Sequence, residues 1–263
     1  MKFISKRTRR LLLCVIIIVV CLLTILIYKA CYQMVNIYSE GLAYEVNDDE
    51  TCRITGIGRC DDIKLRVPRY IDGYKVTGID DQAFYGYNSL KKVILHDDIT
   101  SIGNAAFYNC SSIIELQLGN GLVSIGDSAF AKCENIASIT LPESLESIGK
   151  GAFSGCYTVK SVTFGNNIQS IGDGAFSYCH KLESITLPDS VKNVGYGVFS
   201  SCISLVSVDL PKNATRISGG MFDGCTALTD ITIPESVTII DDCAFINCES
   251  LASITLPSGL TSI

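Results

Sequence analysis

The chain of 263 residues is acidic, with a net charge of −6, and has no tryptophan and only two histidines. Its first ten residues hold five basic side chains and no acid, so the remainder carries −11. That balance argues against binding nucleic acid by phosphate neutralisation and against electrostatic adsorption to anionic lipid. His96 and His180 fall in different parts of the pattern described below, so a Ser–His–acid or Cys–His arrangement has little to build on. No enzyme, cofactor or metal site is expected.

In chain order, residues 1–10 form a basic segment. Residues 11–28 are an apolar run in which Thr24 is the only polar member besides cysteine. The run is long enough to span a bilayer, and the basic flank ahead of it places the N-terminus inside and the rest of the chain outside. The expectation is therefore a single transmembrane signal anchor. A cleaved signal peptide is the alternative, although it would have a shorter apolar core and a small-residue cleavage site, whereas the run here ends Ile27-Tyr28-Lys29-Ala30-Cys31. Residues 29–40 read as a juxtamembrane stalk and residues 41–78 as an N-terminal β cap. Within the cap, the stretch from Leu42 to Pro68 reads as two or three strands, and Asn47-Asp48-Asp49-Glu50 as a hairpin turn.

From residue 79 to residue 263 the chain keeps time. Phe84, Phe107, Phe130, Phe153, Phe176, Phe199, Phe222 and Phe245 recur every 23 residues, and Cys110, Cys133, Cys156, Cys179, Cys202, Cys225 and Cys248 follow three residues behind. A period of this length is the signature of a stacked solenoid. In the unit 182–202, Ile185 and Leu187 alternate with Ser184 and Thr186, the pattern of a short strand with one buried face. Pro188 ends that strand, Val191 and Val194 mark a second extended stretch, and Gly197-Val198-Phe199 is read as one turn of helix or 3₁₀ helix. The unit's eight apolar side chains cannot by themselves offset the ordering of 23 backbones, so neighbouring coils must cover each other.

The unit "LESITLPDSVKNVGYGVFSSC" (182–202) resembles the leucine-rich repeats of BspA-like surface proteins, as do its in-phase copies and the opening "IDGYKVT" segment. The resemblance covers residues 41–263. It implies a right-handed leucine-rich-repeat horseshoe with the "ITLP" strands in one parallel sheet. It further implies a cell-surface protein that attaches to host proteins or to other cells.

Each ladder cysteine occupies the phase of a small buried residue, where a free thiol acts as a compact hydrophobe. An odd ladder of seven cannot pair completely, so free thiols are expected. Cys52 and Cys60 in the cap are the best candidates for a disulfide, and Cys243 stands where other copies carry small or polar residues.

The surface that invites a functional reading is formed by the outward positions flanking each "ITLP" core residue. They are Ser138/Thr140, Ser161/Thr163, Ser184/Thr186, Ser207/Asp209 and Asp230/Thr232, flanked by Lys92/Ile94 and Glu115/Gln117 on one side and Ser253/Thr255 on the other. Stacking would align them as two hydroxyl-rich columns. One reading treats them as soluble, β-compatible filler. The other makes them a docking face for a protein or glycan on another cell, host or matrix, of modest affinity because no aromatic anchor stands among them. The rival function is a spacer or envelope scaffold without a ligand on the repeats. The array stops in mid-unit at Ile263 and is expected to be incomplete. For topology, protease added to intact cells should remove the repeats and leave a membrane-bound stub; protected repeats would overturn the anchor reading.

Overall fold

The triplet at the head of a unit, such as Ser138-Ile139-Thr140, forms a strand, and the pair nine residues further on, such as Ser147-Ile148, forms another, although Ser253-Ile254-Thr255 of the last unit forms none. The computed structural model describes Leu23, Thr24 and residues 39–263. The expected membrane segment at 11–28 and the stalk up to Tyr38 lie outside these residues, apart from Leu23 and Thr24. Among the described residues no helix is long and apolar enough to cross a membrane. The folded unit Ser39–Ile263 begins two residues ahead of the boundary expected at Gly41. Ser39 is buried, and its N–H donates to Arg66 O at 2.8 Å.

Strands β1 (Ala43–Val46) and β2 (Thr51–Gly56) form the expected hairpin. In its turn, Asp49 Oδ1 accepts from the N–H and hydroxyl of Thr51 at 3.1 and 2.6 Å. Strand β3 (Lys64–Arg66) occupies the "ITLP" position of the first coil, and the tight hairpin of β4 (Tyr70–Ile71) and β5 (Tyr74–Ile79) follows. Its turn residues Asp72 and Gly73 have φ of 50° and 93°, the left-handed pair that such two-residue turns require. The insertion stretches the step from Lys64 to its partner Lys92, after which the regular period takes over.

Later coils each supply two strands. Those at the front are β6 (Lys92–Ile94), β8 (Glu115–Gln117), β10 (Ser138–Thr140), β12 (Ser161–Thr163), β14 (Ser184–Thr186), β16 (Ser207–Asp209) and β18 (Asp230–Ile231). Interleaved at the back are β7 (Ser101–Ile102), β9 (Ser124–Ile125), β11 (Ser147–Ile148), β13 (Ser170–Ile171), β15 (Asn193–Val194), β17 (Arg216–Ile217) and β19 (Ile239–Ile240). The coils thus carry strands on two faces, and the second extended stretch expected at Val191 and Val194 includes β15; the "ITLP" strands, expected in one parallel sheet, fall into three ladders. The back sheet is the more continuous, running β1-β2-β5-β7-β9-β11-β13-β15.

Close approach of the coils explains that continuity. A Cβ on Gly103, Gly126, Gly149, Gly172 or Gly195 would fall 2.4–2.7 Å from a backbone nitrogen of the preceding coil. Glycine is required there by space. Where Ser218 takes the same phase, the sheet lapses: β15 and β17 are not paired, and a separate β17-β19 ladder begins. The Ser218 hydroxyl instead donates to Val194 O.

No residue from 39 to 263 is helical, so the helix or 3₁₀ turn expected around each phenylalanine is not formed. Consecutive β-turns stand in its place. Ala175 and Ser177 N–H bond to Gly172 and Gly174 O at 3.2 and 2.9 Å, while Gly174, Phe176 and Tyr178 N–H reach Tyr196, Val198 and Ser200 O of the next coil at 2.8–3.0 Å. Alternating local and inter-coil bonds demand alternating backbone handedness. The phase of Gln82, Ala105, Ser128, Gly151, Gly174, Gly197, Gly220 and Cys243 has φ of 51–62° in all eight coils, and the phase of Gly86 to Asn247, four residues on, is left-handed as well. A right-handed helix cannot accommodate either column. The first column also accounts for the small residues around Cys243, which is exposed.

The phenylalanines stack face to face along the whole array, with ring centroids 4.9–6.1 Å apart. The first six described rings of the ladder after Phe84, Phe107 to Phe222, are fully buried. Beside them, each ladder cysteine donates its S–H to the phenylalanine carbonyl of the preceding coil, as Cys133 does to Phe107 O at 3.1 Å and Cys202 to Phe176 O at 3.2 Å. The phase therefore selects a residue that is small and carries a weak donor. Burial pushes the Cys110 thiol up to about 12, and those of Cys133, Cys156, Cys179 and Cys202 well above the ordinary range. All described cysteines are free, Cys52 and Cys60 included. Cys52 donates to Tyr74 O at 3.8 Å instead of joining a bridge.

Two outcomes test this core. Phe176→Ala should cost about 3–5 kcal/mol in equilibrium denaturation, as expected for a large buried ring whose cavity cannot fully collapse, and Cys179→Ser should cost less. Thiol counting on unfolded, unreduced protein should find the ladder reactive, while in the native state only exposed Cys243 among the described cysteines should react promptly. Fewer than half of the seven ladder thiols reacting after unfolding would show the ladder to be oxidised.

Candidate ligand-binding face

The ten outward residues Ser138, Thr140, Ser161, Thr163, Ser184, Thr186, Ser207, Asp209, Asp230 and Thr232 are all exposed. Their inward neighbours Ile139, Val162, Ile185, Val208 and Ile231 are buried. Strand period makes this division, since alternate side chains point to opposite faces. Register aligns the columns: Ser138 faces Ser161 and Thr140 faces Thr163, and beyond them Ser184 faces Ser207, Thr186 faces Asp209, and Ser207 faces Asp230. Thr186 donates its hydroxyl to Asp209 Oδ2 at 2.9 Å. Toward the cap, Lys92 and Glu115 form an ion pair across β6 and β8.

The front sheet is nevertheless divided into β3-β6-β8, β10-β12 and β14-β16-β18. Each gap follows a coil in which glycine, Gly119 or Gly165, replaces the strand-ending proline. Gly165 lies so near the coil before it that a Cβ would sit 2.4 Å from Pro142 O. The coil closes on its predecessor, and pairing with its successor lapses.

At the second gap a hollow of about 370 Å³ opens between β12 and β14. It is lined by Val162, Phe164, Ile185 and Pro188, with Ser161, Thr163, Asn166, Ser184 and Thr186 around it. Phe164, the one aromatic in its column, is half-buried and packs edge-on against Phe176 at 5.7 Å and 79°. The Phe176–Phe199 step above it is the widest of the stack at 6.1 Å. The hollow continues, through the shared residues Asn166, Thr186 and Pro188, into a groove of about 740 Å³. Leu187, Val208, Leu210 and Pro234 give the groove its apolar surface; Asp209, Thr232, Asp189, Lys212 and Glu235 give it its polar groups.

Of the expected residues, Ser161, Thr163, Ser184, Thr186, Asp209 and Thr232 line this trough, whereas Ser138, Thr140, Ser207 and Asp230 lie outside its lining. The lip formed by Asn166, Asp189, Lys212 and Glu235 was not among the expected residues. Its side chains also tie coils together: Asp189 Oδ1 accepts the Lys212 N–H at 2.8 Å, and Asn166 Nδ2 donates to Glu143 Oε1 at 3.3 Å. Phe164 supplies the aromatic that the columns seemed to lack. The signal for it in the sequence was a double departure from the pattern, Phe164-Gly165 where most copies read Leu-Pro or Ile-Pro.

Neither histidine sits in a nucleophile–base pair. His96 is half-buried: its Nδ1 accepts the Asp98 N–H at 3.2 Å, its Nε2 bonds Pro68 O at 3.1 Å, and burial holds its pKa below the usual range. His180 stacks on Tyr157 at 4.9 Å. Among the described residues no group of three or more His, Cys, Asp or Glu side chains could hold a metal ion.

The BspA type leucine rich repeat region matches over residues 71–183 and 148–263, with six copies. Among solved structures, the leucine-rich repeat protein of T. pallidum is 30% identical with a TM-score of 0.61, covering 81% of this chain and 88% of that one. A leucine-rich cell surface protein of Faecalibacterium prausnitzii is 23% identical with a TM-score of 0.44, covering 84% and 88%. No curated protein matches the sequence. The coil architecture, the repeat match and the T. pallidum likeness agree: the chain belongs to the BspA-type leucine-rich repeat family.

Proposed function

We propose that this chain is a recognition module of the cell surface, held by residues 11–28 in the membrane with its repeats outside, and that it binds a protein or glycan on another cell, host or matrix through the front face. One observation carries this reading. The front face is a loop-free surface of exposed, register-aligned polar side chains that ends in a trough lined by several convergent polar groups, the form that binding sites commonly take. Solenoids characteristically present such extended surfaces for binding. The acidic balance of the external part supports partners other than nucleic acid or anionic lipid. The scaffold reading draws on the lip side chains, which already bridge successive coils.

Replacing Ser161, Thr163, Ser184 and Thr186 together by lysine separates the two. The fold should persist by circular dichroism, because Val162 and Ile185 beneath them keep the core. Attachment of cells displaying the protein should be abolished through lost hydrogen bonds and a reversed local field. Attachment that survives on a folded variant would favour the scaffold.

A further inference from the structure

The trough offers an unusual combination of surfaces. At one end the Phe164 ring is braced from the side by Phe176 and bordered by the hydroxyls of Ser161, Thr163 and Ser184. From there the polar groups repeat once per coil: Thr186, Asp209 and Thr232 on the floor, and Asn166, Asp189, Lys212 and Glu235 on the lip. Successive coils are spaced by about 4.8 Å, the inter-strand distance of a ladder.

A peptide adding as an extra strand needs free backbone groups at a sheet edge. Strands β14, β16 and β18 have their backbone groups turned toward one another; at the break between β12 and β14 the two strands are unpaired but still approach within 8 Å, too close to admit a third strand between them. A chain of sugar rings makes the opposite demand. Each pyranose has an apolar C–H face, which suits a phenyl or pyrrolidine surface, and a rim of hydroxyls that pair with threonine, asparagine and carboxylate oxygens. The charges narrow the class further: three carboxylates, Asp189, Asp209 and Glu235, stand against one ammonium, Lys212. Like charge excludes uronate, sialylated or sulfated chains and favours neutral or amino sugars.

We infer that the trough binds a neutral or amino-sugar oligosaccharide lying along the solenoid axis, with one ring seated on Phe164. This inference rests on the front face being a recognition surface and deepens it.

The test uses the full chain in a detergent without a sugar headgroup, with three probes followed by calorimetry: a glucosamine hexamer, an N-acetylglucosamine hexamer and an oligogalacturonate. At least one of the first two should bind, and the oligogalacturonate should bind at least tenfold more weakly. Phe164→Leu installs the residue that the neighbouring coils carry at this phase, so the fold should stand while affinity falls about tenfold or more. Asp209→Asn should weaken the glucosamine hexamer more than the acetylated one. Binding of neither neutral nor amino probe, equal binding of the anionic probe, or unchanged affinity in the Phe164→Leu protein overturns the inference. If the lysine replacements abolish cell attachment while no oligosaccharide binds, the recognition face stands and only its glycan ligand is refuted. If attachment survives them, the recognition reading itself fails.

Discussion

The constraint on which this molecule depends is the distance between successive coils. Backbone ladders set it near the spacing of paired strands, and every column in the protein must then tolerate a copy of itself at that distance. Phenylalanine tolerates it because parallel rings can stack, and the stack runs with small inclinations from Phe84 to Phe245. Cysteine tolerates it because its thiol fits against the preceding coil and satisfies a phenylalanine carbonyl there. Glycine is forced at the Ile-Gly phase because no Cβ fits against the backbone below. Charged groups meet the same constraint by turning their oxygens onto the neighbouring N–H, as Asp127 does for Lys150 at 2.7 Å. A residue is selected at each phase for compatibility with its own repeat.

Departures from the period therefore have structural consequences larger than their size. Ser218 in a glycine phase interrupts the back sheet. Gly165 in a proline phase lies tight against the coil before it, and ladder pairing between β12 and β14 lapses beside Phe164. The loss of a few ladder bonds there is modest in energy, since each net backbone bond contributes about 1 kcal/mol, and the continuous core beneath compensates for it. What the interruption creates is concavity on an otherwise regular wall.

Much of this was legible from residue order. The period gave the coil length, the core columns and the outward set from Ser138 to Thr232, because strand alternation decides which side chains leave the core. The hairpin across Asn47 to Glu50 was equally plain. Other features were not. The left-handed columns are held by glutamine, alanine, serine, lysine and tyrosine as well as glycine; inter-coil bonding imposes that backbone over local propensity, and "GAF" reads as easily as the start of a helix. The second extended stretch of each unit was legible, but its two-residue strands are too short to show alternation, so their pairing into a long back ladder was not. The trough depends on how one coil settles against the next, and a description of an average repeat erases the deviations that cause it.

A solenoid built only of identical coils would present the same chemistry at every step, and a ligand could slide along it without a preferred register. Specificity needs a landmark. Here the landmark and the groove fall together, because the half-buried Phe164 lines the hollow where ladder pairing between β12 and β14 lapses. The ring is rigid through its contact with Phe176, so little conformational freedom remains to be lost on binding, which is what favours affinity in small interfaces. The hydroxyl columns on either side then extend the contact in the same coil rhythm. On this argument the irregular coils carry the selectivity and the regular ones carry the stability.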